Sequence, residues 1–376
     1  MKCTWWIFPV TAMSLMASCF DDEKQEAFME EEVSIDTVVI TPPRSSITFI
    51  LGKDEPGRNP YYTLANHYYR LNDSDRTEFV IDNLYTLLDV RNYLASHRPS
   101  NGKPWGVVNL VSHGNEFVDL GFYISRTGKR VSAESLRKAM SDGIIRPLDS
   151  TVLDEQTIFY VHGCSVGNNQ PLLDALGLAL GGKRPANVQA SKLFEYYTNL
   201  EGNNPQSVRH YFAEVWYAFY RIDSGLVEDS LINQLQERYP EVNVDWKEAL
   251  SREAPADPSE AYCMKILVPV IWEDFYKSPD QLPVLNTQRK QSRWVENNEE
   301  FLSLMEKTRI PREYFRIKFY RRIYERSDDT LYSNKAKAMA GVICIIRPLL
   351  ERTISNDQYV PFRPSNSDAC YFGFNE

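Results

Sequence analysis

The protein has 376 residues, of which 43% are hydrophobic and 25% are charged, and its net charge is −9 with a pI near 5.3. A chain of this length can bury a substantial core in one large domain or in two smaller ones. Its balanced composition excludes a wholly disordered chain and a fibre. The acidic charge argues against nucleic acid as a partner.

The first residues have the pattern of an export signal. Lys2 gives a positive start, residues 5–15 form an apolar run, and small residues follow as far as Cys19. The apolar run is too short for a stable membrane span. The sequence therefore predicts a signal peptide over residues 1–18 and an acidic tether over residues 19–45.

The segment Met16-Ala-Ser-Cys19 resembles the lipobox of bacterial lipoproteins. This resemblance implies that Cys19 is acylated and holds the chain to a membrane. The acidic cluster after it, Phe20 to Lys24, resembles the surface-export signal of some Gram-negative lipoproteins. Together they imply a location in the cell envelope, at the outer membrane and exposed on the surface. The alternative is an ordinary cleaved signal with an incidental cysteine.

Strands and helices alternate over residues 46–205. The strands are predicted from short apolar or β-branched runs, and the helices from apolar residues at helical spacing. The predicted elements are a strand at Ser46–Leu51, a helix at Asp82–His97, a strand at Val107–Val111, a helix ending near Met140, a strand at Ile158–Val161, a helix at Leu172–Leu180 and a strand at Asn187–Ser191. Such alternation predicts an α/β domain with a mostly parallel sheet covered on both faces.

The pattern changes over residues 206–376, where we predict a mainly helical region that could also complete the sheet. The predicted helices are Val208–Ile222, Leu226–Tyr239, Trp294–Lys307 and Lys335–Leu349. One strand is predicted at Met264–Trp272, and Pro269 within it favours an edge position because proline cannot donate a backbone hydrogen bond.

Two of the predicted strands end on chemically reactive residues. The run Val107–Val111 leads into His113 and the run Ile158–Val161 leads into Cys164, and each reactive residue has a glycine beside it. Parallel strands present their carboxyl ends at one edge of a sheet, where α/β proteins bind ligands. The sequence therefore predicts an imidazole close to a thiol, the pairing that activates a cysteine nucleophile.

Ser112-His113-Gly114 and the later run His162–Gly167 resemble the strand-end motifs of caspase-like cysteine peptidases of clan CD, most closely the CHAT and separase branches. The resemblance covers about residues 46–195. It implies a caspase-like three-layer sandwich that hydrolyses peptide or protein substrates without a metal or organic cofactor. It also implies that Cys164 is the nucleophile, that His113 is the general base and acid, and that the amides of Gly114 and Cys164 form the oxyanion hole.

Other hypotheses stay open from the sequence. The same scaffold could be a catalytically inactive binding module at the cell surface. Gly163–Gly167 also fits the G-x-S-x-G nucleophile elbow with Ser165 as nucleophile, but only Asp174 and His210 could follow it as acid and base, and too little chain remains for that fold. Asp119 and Glu195 are candidates for a specificity pocket.

The remaining chemistry of the sequence is sparse. His162 is interpreted as a hydrogen-bonded histidine at a strand end, without a catalytic role. No two cysteines have C-x-x-C spacing, so no metal or redox motif is predicted. The oligomeric state and the cleavage specificity are not encoded in any recognisable pattern.

Overall fold

Apolar and β-branched runs build a six-stranded sheet in the first half of the chain. A computed structural model of the protein describes residues 44–56, 60–73, 77–117, 119–181, 184–199, 204–253, 259–325, 330–352, 359–365 and 367–375. The predicted signal peptide, the predicted acylation site Cys19 and nearly all of the predicted tether therefore lie outside the described residues. Residues Pro43–Glu376 form one compact unit.

The elements of the first half alternate between strands and helices. They are β1 (Ser46–Ile50), α1 (Tyr61–His67) continued by a π-helical turn (Tyr68–Asn72), β2 (Phe79–Ile81), α2 (Leu87–Ser96), β3 (Val107–Val111), α3 (Ala133–Ser141), β4 (Ile158–His162), α4 (Gln170–Leu180) and β5 (Asn187–Ser191). The sheet has the order β13-β5-β4-β3-β1-β2, and every neighbouring pair is parallel except β13 (Phe372–Phe374) with β5. The prediction of an α/β fold with a mostly parallel sheet is thus confirmed.

The two faces of this sheet differ in polarity because side chains alternate along a strand. One face is apolar and packs against α2, α3 and α4, with contributions from β1, β3, β4 and β5: Ile47, Phe49, Val108, Leu110, Phe159, Val161, Val188 and Ala190. The other face carries Thr48 and Asn109, whose side chains are hydrogen-bonded to each other at 2.9 Å. The candidate site lies at the carboxyl end of this polar face.

The second half of the chain is built around an antiparallel sheet. Its elements are β6 (Phe194–Asn199), β7 (Val208–Tyr220), α5 (Glu228–Arg238), α6 (Trp246–Ser251), β8 (Tyr262–Tyr276), α7 (Gln288–Glu296), α8 (Glu299–Glu306), β9 (Arg316–Glu325) and β10 (Thr330–Pro348), followed by a small ladder of β11 (Leu350–Arg352) with β12 (Tyr359–Pro361). The strand order is β6-β7-β10-β8, and β9 pairs with β10. One face packs on α5 and α6, and the other on α7 and α8.

The prediction of a mainly helical region over residues 206–376 was therefore wrong. The segments predicted as helices at Val208–Ile222 and Lys335–Leu349 are the strands β7 and β10. Helices cover both faces of the sheet, and the apolar residues of β7 and of residues 340–346 in β10 form long runs. Such a run does not distinguish a strand from a buried helix. The long helix predicted at Trp294–Lys307 is instead divided into α7 and α8, and the Asn298 side chain caps α8.

Other expectations for this half were met. The helix predicted at Leu226–Tyr239 is α5, and the strand predicted at Met264–Trp272 is part of β8. Within the described sheet β8 pairs with β10 alone, so Pro269 lies on an edge strand as predicted. The end of the chain also completes the first sheet, through β13. Across the described residues, no helix combines the length and the apolar character needed to span a bilayer.

The core positions give a direct test of this architecture. Leu110 in β3 is fully buried, whereas Leu267 in β8 is 55% exposed. We expect Leu110→Ala to lower the free energy of unfolding by about 2–5 kcal/mol, because the lost methyl groups leave a cavity. Leu267→Ala is the matched control and should change it by no more than about 0.5 kcal/mol. Urea denaturation measures the free energy of unfolding of both variants. Equal losses would contradict the burial of Leu110 and the exposure of Leu267.

Candidate active site

The loops after β3 and β4 lie side by side at the edge of the parallel sheet. Val111 and His162 are the last paired residues of the two strands, and the Ser112 amide continues the ladder by donating to the His162 carbonyl at 3.0 Å. His113 and Cys164 each follow two residues after the last pair. A Cβ atom on Gly163 would lie 3.1 Å from the Ser112 carbonyl oxygen, so glycine is what allows the two loops to approach so closely.

His113 is solvent-accessible on one side and packed by tyrosines on the other. Its ring stacks on Tyr61 with a centroid distance of 4.5 Å and meets the edge of Tyr62 at 4.8 Å. The Tyr62 hydroxyl accepts a hydrogen bond from the His113 amide at 3.1 Å. The surrounding protein desolvates the ring and lowers the pKa of His113. The neutral form, which can accept a proton, is therefore favoured near neutral pH.

The Cys164 thiol is held away from solvent. Its Sγ donates to the backbone carbonyl of Glu195 at 3.2 Å, and its side chain belongs to an apolar cluster that includes Phe194 and Tyr217. Burial raises the pKa of Cys164 to about 12. Among the described residues, no hydrogen bond connects the His113 ring to this thiol. Burial and the hydrogen bond to a carbonyl thus both favour the protonated thiol in this position, which we call the resting position.

The residue after the cysteine has an unusual backbone. Ser165 has a φ of 57° in the left-handed region, which costs a residue with a side chain about 1–2 kcal/mol. Its amide donates to the Leu193 carbonyl at 2.9 Å, which helps to hold this conformation. Ser165 is fully buried, and its hydroxyl is hydrogen-bonded to the Tyr217 hydroxyl at 3.4 Å. The structure does not bring Ser165 to either residue of the hydrolase alternative, Asp174 or His210.

The predicted oxyanion donors lie at the junction of the two loops. The Gly114 nitrogen is 3.7 Å from the position that a Cβ on Gly163 would occupy. No acceptor in the described part of the chain takes the Gly114 amide. A Cβ on Gly114 would lie 2.9 Å from Leu120 and 3.1 Å from Val166, so this position also requires a small residue. An N–H with no internal acceptor beside the cysteine backbone can stabilise a negatively charged oxygen.

A buried polar cluster, not predicted as a unit, adjoins this site. The Glu195 Oε2 atom lies 3.0 Å from His162 Nδ1 and 3.1 Å from His210 Nε2. His162 Nε2 is 3.2 Å from the Asn109 Oδ1 atom. The expected strand-end role of His162 is therefore what the structure shows. Glu195, 1% exposed, is bound inside this cluster and does not face a substrate.

The charges in this cluster are mutually compensated. Burial acts to raise the pKa of Glu195, but the positive potential and hydrogen bond of His162, with the hydrogen bond of His210, outweigh it and hold that pKa below its usual range. Burial lowers the pKa of His210. A buried carboxylate thus stays ionised because histidines surround it.

Asp119, the other specificity candidate, lies in the loop beside His113. Two residues later in this loop, the Gly121 amide donates to the His113 carbonyl at 2.6 Å. Burial, assisted by the nearby Glu134, raises the pKa of Asp119 to about 6. Asp119 therefore remains close to the site, whereas Glu195 belongs to its interior.

Sequence reasoning missed Tyr61 and the pairing of Glu195 with the two histidines. The helix α1 and the strand β6 were not predicted, and His210 had been assigned to a helix. The sequence did carry one signal for this pairing. Glu195 is a single charged residue within the aromatic run Phe194–Tyr197, and a carboxylate buried in such a run needs partners, because an unpaired carboxylate is seldom buried.

Compared with known proteins, the chain matches no family model, no curated protein and no solved structure.

Thiol reactivity follows from this geometry. We expect iodoacetamide to label the buried Cys164 at least tenfold more slowly than the exposed Cys370 near pH 7.5, because a pKa of about 12 leaves little thiolate. The Cys164 rate should still rise with pH above pH 9. Peptide mapping by mass spectrometry gives both rates in one sample. Faster labelling at Cys164 than at Cys370 would contradict the resting position described above.

Proposed function

We propose that the chain is a cysteine endopeptidase in which Cys164 attacks the peptide carbonyl and His113 acts as general base and general acid. The observation that carries the proposal is that His113 and Cys164 occupy equivalent positions. The strands β3 and β4 are adjacent and parallel, and each reactive residue lies two positions after the last paired residue of its strand. In α/β sheets this edge is the place where ligands bind.

The proposed reaction uses the groups at the loop junction. His113 takes the thiol proton, the Cys164 sulfur bonds to the carbonyl carbon, and the carbonyl oxygen becomes an oxyanion. The Gly114 and Cys164 amides donate to that oxyanion. His113 then gives its proton to the leaving amine, and water hydrolyses the thioester in a second step.

Catalysis by this route requires the Cys164 side chain to leave the Glu195 carbonyl and turn toward His113. Tyr61 is the residue best placed to control that change. Its ring stacks on His113, and its buried hydroxyl has no hydrogen-bond partner among the described residues. Burial, assisted by the negative charge of Glu195, raises the pKa of Tyr61. An unsatisfied hydroxyl costs about 1–3 kcal/mol, so a conformation that gives it a partner recovers that free energy.

The strand order supports a caspase-like sandwich as part of the proposal. Five parallel strands in the order β2-β1-β3-β4-β5 carry the two reactive residues on neighbouring central strands. The second sheet and its helices are additions for which the resemblance offers no counterpart. We further propose that the enzyme is a lipoprotein anchored through Cys19 in the outer membrane of the cell envelope and exposed on the cell surface.

Hydrolysis by matched variants tests the proposal. We expect the wild-type chain to cleave labelled casein or a fluorogenic peptide pool, and Cys164→Ala to abolish cleavage because the nucleophile is lost. His113→Ala should reduce the rate by about 10²–10⁴-fold, the usual contribution of a general base. Rates are followed by fluorescence after circular dichroism has confirmed folding.

Two exposed residues provide the controls for that assay. Cys370→Ala and His97→Ala remove the same side-chain types at exposed positions away from the loop junction, and neither should change the rate. The peptidase proposal is wrong if Cys164→Ala cleaves at the wild-type rate.

The second candidate function is a catalytically inactive binding module. The observation that favours it is the Cys164 thiol, which is buried, hydrogen-bonded to a carbonyl and protonated. This candidate predicts no hydrolysis by the wild-type chain, and Cys164 labelling that does not respond to substitution of His113 or Tyr61.

Tyr61 gives a sharper test of the resting state. We expect Tyr61→Ala to speed iodoacetamide labelling of Cys164 several-fold, because removal of the ring exposes the imidazole and gives the thiol space to turn. Tyr61→Phe keeps the ring and removes only the unsatisfied hydroxyl, so its labelling rate should stay near that of wild type. Equal rates for the two variants would exclude a controlling role for the Tyr61 ring.

A further inference from the structure

The buried cluster of His162, Glu195 and His210 has the composition of a metal site. Each residue offers one ligand atom, and the three atoms lie within 4.8 Å of one another. They come from three different strands, β4, β6 and β7, and so from both sheets. The His162 side chain is 16% exposed, which leaves an entry path, whereas His210 and Glu195 are nearly inaccessible.

The hydrogen bonds around His162 place its Nδ1 atom opposite the Glu195 carboxylate. The Asn109 Nδ2 atom donates to the Thr48 hydroxyl at 2.9 Å, so Asn109 Oδ1 is the acceptor that faces His162 Nε2. Nε2 therefore carries a proton. In neutral His162 the other nitrogen, Nδ1, is then a bare lone pair 3.0 Å from the carboxylate oxygen of Glu195.

Two lone pairs at that distance repel each other unless a positive charge lies between them. A second proton on His162 is one solution, and a metal ion is the other. The His210 Nε2 atom converges on the same oxygen at 3.1 Å. Protons on the two imidazoles would give each ring its own hydrogen bond to Glu195, whereas one metal ion can bind all three atoms at once.

We propose that His162 Nδ1, Glu195 Oε2 and His210 Nε2 bind a Zn²⁺ ion. Two imidazoles and one carboxylate are a ligand set that zinc uses in proteins, with a water molecule as the fourth ligand. Ligands about 2.0–2.2 Å from a tetrahedral ion are about 3.4 Å apart. The two distances to Glu195 Oε2 are already close to this value, whereas the two histidine nitrogens, which lie within 4.8 Å of each other, would have to move about an ångström closer. Asn109 and Thr48 orient His162, as outer residues do at many metal centres.

The proposed ion would join the two sheets where the thiol is held. It links the end of β4 to β6 and β7, and the backbone carbonyl of its ligand Glu195 accepts the Cys164 thiol hydrogen bond. The proposal does not rest on peptidase activity, because the ligand atoms exclude Cys164 and His113.

Cobalt binding tests the proposal on the intact chain. The full-length protein is stripped with a chelator, titrated with Co²⁺ and then with Zn²⁺, and followed by visible absorption and by metal content. We expect one Co²⁺ per chain with the intense bands of a tetrahedral site, displaced by Zn²⁺. Glu195→Gln and His210→Phe should each weaken binding at least about 100-fold, and Asn109→Ala about 10–100-fold.

Two control variants separate this result from thiol chemistry and from surface binding. Cys164→Ala should bind Co²⁺ as tightly as wild type, so loss of peptidase activity and loss of metal binding are distinguishable. His97→Gln alters an exposed histidine and should also bind normally. The proposal is overturned if the stripped wild-type chain takes up no Co²⁺ or Zn²⁺, or if folded Glu195→Gln binds as tightly as wild type. The wild-type titration decides the matter even if that variant does not fold.

Discussion

Glu195 is the residue on which the arrangement of the candidate site depends. Its backbone carbonyl accepts the Cys164 thiol, and its side chain lies between His162 and His210. An ionised carboxylate that is almost fully buried is stable only when positive or hydrogen-bonding groups surround it. The position of β6 relative to the end of β4 is therefore fixed by electrostatics as well as by apolar packing. The same contact fixes where the thiol rests.

The two sheets meet in a polar layer, although most of the protein has apolar layers. The apolar face of the parallel sheet is covered by α2, α3 and α4. The opposite face carries Thr48 and Asn109 and continues through His162 to Glu195. Tyrosine rings fill the space around this chain of hydrogen bonds, since Tyr197 stacks on His210 at 4.6 Å and Tyr69 approaches His162 at 5.8 Å. Aromatic rings supply dense packing there and still leave the polar atoms their partners.

The sequence predicted the parallel half of the fold well and the antiparallel half poorly, for one physical reason. In β3 and β4 short apolar runs end at glycine-flanked reactive residues, and these local signals are sufficient. The strands β7 and β10 are unusually long, with 13 and 19 residues, and β7 and residues 340–346 of β10 are largely buried on both faces. The period-2 signal is lost in these stretches because most of the side chains on both faces are apolar. Residues whose partners come from these strands, such as Glu195 and His210, could not be grouped before the pairing of β6 with β7 was known.

Burial and reactivity make opposite demands on Cys164. Packing in the apolar cluster with Phe194 stabilises the fold but disfavours the thiolate that peptide hydrolysis needs. The left-handed backbone of Ser165 and the unsatisfied hydroxyl of Tyr61 are both unfavourable. Ser165 directly follows the cysteine, and the Tyr61 ring stacks on His113. A conformation that relieves these two costs recovers part of the free energy that is lost when the thiol leaves its apolar cluster. Under the proposed peptidase function, the binding of a substrate would have to supply the remainder, because burial is what keeps the thiol protonated.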